Sequence, residues 1–179
     1  MLVNNVGIGI AKYYHTHTQL NVNSLITVNC LAMAALLPPV LEGMIKRKTK
    51  SAIINLSSYQ AEKTLPLLSL YSATKAFNMK LSEGLAYEYP QIDVFCLKPM
   101  YVESNLSRQK KGFMIPDAYE CAWDSLKELR WSRESYGYYS HRINRHIFLN
   151  LVPDFVYNLY IRFFAKESLI KTFKLTKVQ

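Results

Sequence analysis

Cysteine is scarce in this chain: Cys30, Cys96 and Cys121 are the three in 179 residues. Their odd number and wide spacing exclude a disulfide framework and a CxxC metal site, and point to a reducing environment or buried thiols. The histidines offer no substitute. His15 and His17, and the pair His141 and His146, lack metal-ligand spacing with cysteine or carboxylate, so no metal is expected. Long apolar runs are also missing, since none reaches the roughly eighteen uninterrupted residues of a spanning helix. The nearest, residues 149–165, is broken by Pro153, Asp154 and Arg162. The opening MLVNNVGIG has neither a basic region nor a long apolar stretch, so no signal peptide is expected. Acidic residues are in the minority, 13 against 22 Lys and Arg, for a formal charge of +9. Part of the excess gathers in KRKTK (residues 46–50) and RQKK (residues 108–111), with no aromatics interleaved and no nucleic-acid-binding motif. Nucleic acid is therefore not an expected partner; solvated loops, phosphate-bearing small molecules or anionic lipid account for the charge.

Half of the chain is hydrophobic, enough for a sizeable core in one domain. MLVNNVG reads as a short buried strand ending in a turn. Residues 25–46 read as a helix, disturbed in its middle by Pro38 and Pro39 and closed by cations where the helix dipole favours them. SAIINLSS is a continuous apolar strand suited to a sheet covered on both faces. Residues 70–89 form the strongest helix candidate, stopped by Pro90. IDVFCLKP is a second buried strand, residues 117–130 a helix, and SYGYYSH a short strand. Strand and helix alternate, which predicts an α/β fold with a parallel sheet. Beyond Pro153, Phe155, Val156, Leu159, Tyr160 and Phe163 recur at helical spacing. That stripe is expected in the core, the alternative being a membrane surface with Arg162 and Lys166 reaching back to water.

Functional groups in such a sheet gather at the carboxyl ends of the strands. NNVG (residues 4–7), NLSS (residues 55–58) and KPMYVES (residues 98–104) fall there. Within YSATK, Tyr71 and Lys75 stand four residues apart on one helix face. A phenol titrates near 10 and is a poor acid–base catalyst at neutral pH; a fixed ammonium beside it would lower that value. Alone, the pair also fits a half-buried aromatic and a solvated lysine. Ser58 lies thirteen residues before Tyr71, at the end of the strand that leads into its helix, and Asn29 sits mid-helix, where its amide needs a polar partner.

In this order and spacing, NNVG, Asn29, Ser58, YSATK and the proline turn KPMYVES resemble the short-chain dehydrogenase/reductase family. Within it, LVNNVG, INLSS, LPLLSLYSATKAF and GLAYEY are most similar to the 17β-hydroxysteroid dehydrogenase type 12 and very-long-chain 3-oxoacyl-CoA reductase group, and the segment from YGYYSH to NLVPDFVY also looks like that group's ending. The resemblance implies a Rossmann-like, doubly wound parallel sheet, of which this chain would hold the C-terminal part, strands 4 to 7. Residues 1–148 would be the partial Rossmann-type domain, and residues 149–179 an amphipathic, basic segment on the domain or on a membrane surface. The implied activity is NADP(H)-dependent reduction of a lipid ketone, a 3-oxoacyl-CoA or a steroid, or the reverse oxidation, with NAD(H) as the alternative cofactor. Tyr71 would be proton donor or acceptor, Lys75 would lower its pKa and bind the nicotinamide ribose, Ser58 would hold the substrate oxygen, and Asn29 would anchor a water leading from Lys75 to solvent. Asn4, Val6 and Gly7 would lie near the adenosine side and brace the sheet, and Val102 and Ser104 would contact the carboxamide. The group also implies endoplasmic-reticulum membrane association, with a cytoplasmic location as the alternative, and pairing of subunits through the helices at 25–46 and 70–89.

Three departures qualify the resemblance. Met100 follows Pro99 where the family usually has glycine, as bulky residues do in the resembled group, and Glu103 puts an acid near the carboxamide. The family's glycine-rich turn for pyrophosphate is missing too: VGIGIA (residues 6–11) has glycines, but follows NNVG rather than the first strand. The expectation is a fragment, or a shortened relative that binds dinucleotide weakly and acts as a non-catalytic binding or dimerisation module.

Overall fold

The computed structural model describes residues 1–175. Among them four strands, β1 (Leu2–Asn4), β2 (Ser51–Leu56), β3 (Ile92–Leu97) and β4 (Glu134–Ser135), form one parallel sheet in the order β1-β2-β3-β4. The expected parallel α/β, Rossmann-like architecture is what is found.

The first helix starts earlier than its apolar pattern suggests. Thr18 caps it, accepting from the Asn21 amide while Asn21 answers the Thr18 amide, so α1 (Gln19–Ile26) begins in a polar stretch. It continues without a break through a π turn (Thr27–Leu31) into α2 (Ala32–Ile45). Pro38 and Pro39 do not interrupt α2. Both stand on its exposed side, where carbonyls left without an amide partner can bond water, while Leu37, Leu41 and Met44 hold the opposite side in the core. The whole run Gln19–Ile45, not residues 149–165, is the one described helix long and apolar enough to span a membrane by length and composition. Its inner face accounts for only part of that character: Met33, Leu37, Leu41 and Met44 pack with Ile53, Ile92 and Val94 of the sheet and Leu85 of the next helix, while Leu20, Ile26, Leu31, Leu36 and Ile45 are exposed.

That next helix, α3 (Ser69–Glu88), turns a polar rather than apolar row inward, with Ser72, Thr74, Lys75, Asn78 and Ser82 all buried. On the opposite face of the sheet, Ile54, Phe95 and Leu97 bury against Leu56 and Leu129, as continuous apolar strands require. Helix α4 (Ala118–Glu128) is opened by an Asp117–Glu120 capping box.

Of SYGYYSH only Ser135 belongs to a strand. Gly137 adopts φ +73°, and a Cβ there would come within 2.6 Å of the Ser125 hydroxyl. The left-handed turn ends β4 after two residues and starts α5 (Tyr139–His146), which runs on as a π turn (Ile147–Leu151). The boundary drawn at residue 148 from the sequence falls inside this turn. After Pro153 come α6 (Asp154–Tyr160), a third π turn (Ile161–Ala165) and α7 (Lys166–Phe173). The aromatic stripe expected in the core lies outside it: Tyr157, Ala165, Leu169 and Ile170 are buried instead, and Phe155, Val156, Leu159, Tyr160 and Phe163 are exposed. A period-3.6 pattern locates a stripe but does not say what covers it. The segment drawn from residue 149 ends in residues 176–179, outside the described residues.

Candidate active site

The carboxyl ends of β1 and β2 and the first turns of α3 meet around one lysine. Lys75 is 4% exposed, and its ammonium donates to the Leu56 carbonyl at 2.9 Å, which also accepts from Asn78 at 3.2 Å. Burial lowers its pKa to about 8, against smaller opposing effects of Cys30 and Cys96. The Ser57 hydroxyl holds the Lys75 carbonyl at 2.6 Å, fixing the helix against the strand end.

Gly7 stands over this ammonium. A Cβ built there would lie 3.3 Å from Lys75 Nζ and 3.4 Å from Asn29 Oδ1, so any larger residue would press on the ammonium at this approach. Asn29, in the π turn, is fully engaged: its amide donates to the Ile8 carbonyl at 2.9 Å and the Thr74 hydroxyl at 3.0 Å, and its oxygen accepts from the Ile8 amide at 2.9 Å. Thr74 passes the link on to the Tyr71 carbonyl at 2.7 Å. The polar partner that a mid-helix Asn29 needs is thus the backbone of the glycine-containing turn, and the π turn is the local irregularity that aims it there.

Tyr71 lies one helical turn before Lys75, its ring 3.6 Å from the Cβ position of Gly9 and its centroid 5.8 Å from Lys75 Nζ. Ser58, at the end of β2, accepts from the Gln60 amide at 3.2 Å, which leaves its hydroxyl hydrogen available. Burial pushes the Tyr71 phenol above its usual value; the Ser58 hydroxyl works against that rise and Tyr101 adds to it. The direction is opposite to the one expected from the Tyr–Lys spacing. The ammonium is turned onto the Leu56 carbonyl and not onto the phenol, and burial dominates the phenol's shift.

Other expected site residues fall at more than one place. Asn4 donates to Asn55 at 2.7 Å, its register partner on β2, and Asn55 donates on to Ser82 of α3 at 2.9 Å; this ladder ties β1 to the sheet. The Val6 side chain is exposed. Val102 and Ser104 are joined to each other through a loop in which Ser107 donates to the Val102 carbonyl at 2.6 Å and Ser104 does so at 3.2 Å.

Sequence reading missed Thr74, Asn55 and a buried ion cluster beside Ser58. Lys98, 1% exposed, bonds both Glu62 and Glu134, the latter at 2.7 Å, and Tyr136 donates to Glu62 at 2.7 Å. Burial alone would pull Lys98 down; its hydrogen bonds to Glu134, Glu62 and Tyr136 hold it above its usual value. A lysine just before the proline of KPMYVES, directly after the apolar run VFCL, was the available signal.

The parallel sheet and its crossing helices are an α/β, Rossmann-like domain: the family model for short chain dehydrogenases matches residues 1–113, and the chain belongs to that family. Among its relatives are human inactive hydroxysteroid dehydrogenase-like protein 1, 32% identical over 94% of this chain and 54% of the relative, and zebrafish very-long-chain 3-oxoacyl-CoA reductase-B, 32% identical over 90% and 54%. Among solved structures, a gluconate 5-dehydrogenase from Burkholderia cenocepacia, in complex with NADP and tartrate, superposes with a TM-score of 0.57 at 29% identity, covering 68% of this chain and 47% of that one. The chain spans about half the length of the curated relatives it matches.

A nicotinamide cofactor, which the family implies, fits these residues at one end only. The Lys75 ammonium has N–H groups beyond its bond to Leu56 that can meet ribose hydroxyls, beside Gly7, which carries no side chain to cover it. The glycines of VGIGIA do not make a pyrophosphate cradle: the Ile8 amide and carbonyl are both taken by Asn29, and the following helix begins only at Gln19.

Proposed function

We propose that this chain carries the proton-transferring half of an NADP(H)-dependent lipid-ketone reductase, acting on a 3-oxoacyl-CoA or a steroid ketone, with NAD(H) as the alternative cofactor. The observation that carries the reading is the single face of α3 on which Tyr71 and the buried Lys75 stand, with Ser58 beside the phenol. Ser58, whose hydroxyl is directed at the Tyr71 phenol, turns its hydrogen to the substrate oxygen, stabilising the charge that grows there. Tyr71 delivers a proton to that oxygen. Lys75, titrating at about 8, exchanges protons near neutrality and resupplies the phenol, and Asn29 holds the turn over it. A bound nicotinamide supplies the hydride. Lipid-directed relatives support the substrate class, and the membrane of the endoplasmic reticulum is its proposed location. The exposed Leu31, Leu36 and Phe77 on α2, its π turn and α3 support pairing with a second copy.

One specific comparison favours a second reading, a non-catalytic dimerisation or binding module: a relative named as inactive matches the chain over 94% of its length. The test is turnover of 3-oxoacyl-CoA and steroid ketones with NADPH by the protein extended to its relatives' length. Tyr71→Phe should lower kcat by about 10²–10⁴-fold with the far-UV spectrum unchanged. Equal turnover by Tyr71→Phe removes the catalytic assignment, and a folded wild type without turnover favours the module. The 179-residue chain alone should bind NADPH weakly in a fluorescence titration, and micromolar affinity would overturn the one-ended cofactor fit.

A further inference from the structure

The C-terminal helical run α6–α7 has two unlike sides. Its inner side is anchored: Tyr157 is buried beneath Lys63, whose ammonium lies 5.0 Å from the ring centroid, and Leu169 and Ile170 pack on Ala11, Leu67 and Leu68 with Tyr71 at the cluster's edge. Its outer side carries large apolar groups in the open. Phe155 is 74% exposed, Leu159 60%, Phe163 57% and Phe164 68%. Phe155, Leu159 and Phe163 follow one another at intervals of four, a continuous stripe on a helix held in place from behind.

The charges around the stripe are arranged for an anionic apolar boundary. Arg162 is exposed and lies 5.9 Å from the Phe163 centroid, and Lys166 is 5.3 Å from that of Tyr13. Asp154, at the head of the stripe, is drawn onto Lys63 at 2.7 Å, while Glu167 lies one residue beyond Lys166. The chain as a whole carries +9. A second copy is a poor match, because face-to-face pairing would set the same cations against each other. The stripe from Phe155 to Phe164 is also only about 14 Å long at 1.5 Å per residue, too small for the ~800 Å² that each partner of a stable pair contributes.

We propose that this face docks on an anionic bilayer surface, with Phe155, Leu159, Phe163 and Phe164 in the boundary between headgroups and acyl chains and Arg162 and Lys166 at the level of the phosphates. Docking needs no catalysis. Its consequence rests on the reductase reading: the other side of the run packs near Tyr71, so a docked chain brings the rim of that site to the surface where long-chain substrates reside.

Vesicle co-sedimentation of the 179-residue chain tests the proposal, with phosphatidylcholine alone and with about 30% phosphatidylserine. The wild type should pellet with the anionic vesicles, at least about tenfold more tightly than with neutral ones. Phe155→Ser/Phe163→Ser should lose about tenfold or more in affinity for the anionic vesicles, with an unchanged far-UV spectrum. Arg162→Gln/Lys166→Gln should lose the preference for anionic lipid but keep residual binding. Absence of wild-type binding, or equal binding by the serine variant, overturns the proposal. So does a wild-type dimer in light scattering that the serine variant converts to monomer. None of these readouts depends on turnover, so docking and the reductase reading can fail separately.

Discussion

Lys75 directs its ammonium to the main-chain carbonyl of Leu56, 2.9 Å away, and not to the phenol of Tyr71 one helical turn before it. The lysine of YSATK is therefore held by the sheet, at a cost. A fall from 10.5 to about 8 corresponds to ~3 kcal/mol against the charged form.

The sign of that cost can be read from the pH dependence of stability. Because the folded value lies below the unfolded one, the unfolded chain binds more protons between pH 8 and 10.5, and stability rises with pH across that window; below pH 8 the penalty is fully present. Lys75→Met, similar in volume and uncharged, should raise stability by about 1–3 kcal/mol at pH 7. The difference from wild type should shrink as pH rises from 8 to 10. Urea melts of both proteins check this, and a less stable Lys75→Met would mean that the bond to Leu56 outweighs the burial.

The same substitution should act in opposite directions at two glycines. Gly7→Ala puts a methyl 3.3 Å from Lys75 Nζ and 3.4 Å from an Asn29 oxygen pinned in place, whereas at Gly43, within α2, a Cβ meets nothing within 4 Å. Gly7→Ala should destabilise by about 1–2 kcal/mol, and Gly43→Ala should stabilise by about 0.5–1 kcal/mol through helix propensity. Thermal melts separate the two. Stabilisation by Gly7→Ala would show that the turn over Lys75 is looser than its distances indicate.

Lys98 and Glu62 hold the loop after Ser58 against the end of β3, with a backbone bond from the Tyr59 amide to the Pro99 carbonyl at 3.0 Å alongside them. Lys98→Met leaves the Glu62 carboxylate with the Tyr136 hydroxyl and with Arg145 at 4.0 Å, and should cost about 1–3 kcal/mol. Glu62→Gln combined with Lys98→Met removes both charges and should recover at least half of that loss. A double-mutant cycle by urea unfolding measures the coupling, and additive costs would show that the two residues act independently.

Much of this fold was legible because its strands are short apolar runs between turn residues and its longest helices sit between them. SAIINL and IDVFCL stand where the pattern put them, and α3 runs from Ser69 to Glu88 against the expected 70–89. The misses share a physical origin. Thr18 starts a helix inside a polar stretch through a side-chain cap that hydropathy does not register. Gly137 ends a strand by a left-handed turn that β-propensity does not register. The stripe from Phe155 has the right period, but which side is covered depends on Tyr157 and Ile170 finding partners distant in sequence. At the site, the spacing of Ser58, Tyr71 and Lys75 could be read along the chain. The orientation of Lys75 toward Leu56 could not, because its partner is a main-chain carbonyl at the end of β2, nineteen residues earlier, which no side-chain pattern marks.

Asn29 is where that close approach is secured. Its side chain answers both the amide and the carbonyl of Ile8 and still reaches Thr74, so one residue supplies what two strand-like hydrogen bonds would otherwise give the glycine turn. Asn29→Leu keeps much of the volume but leaves the Ile8 backbone and the Thr74 hydroxyl facing an apolar group. Losing partners for buried polar groups costs about 1–3 kcal/mol each; with part of the Ile8 backbone able to turn to water, a net loss of about 2–4 kcal/mol is expected. Hydrogen exchange gives the more specific readout: the Ile8 amide should lose its protection in Asn29→Leu under conditions where the core amides of β2, such as Ile53 and Ile54, keep theirs. Undiminished Ile8 protection would show that the turn is held by the sheet end alone, and that Asn29 serves α3 through Thr74 rather than the loop above Lys75.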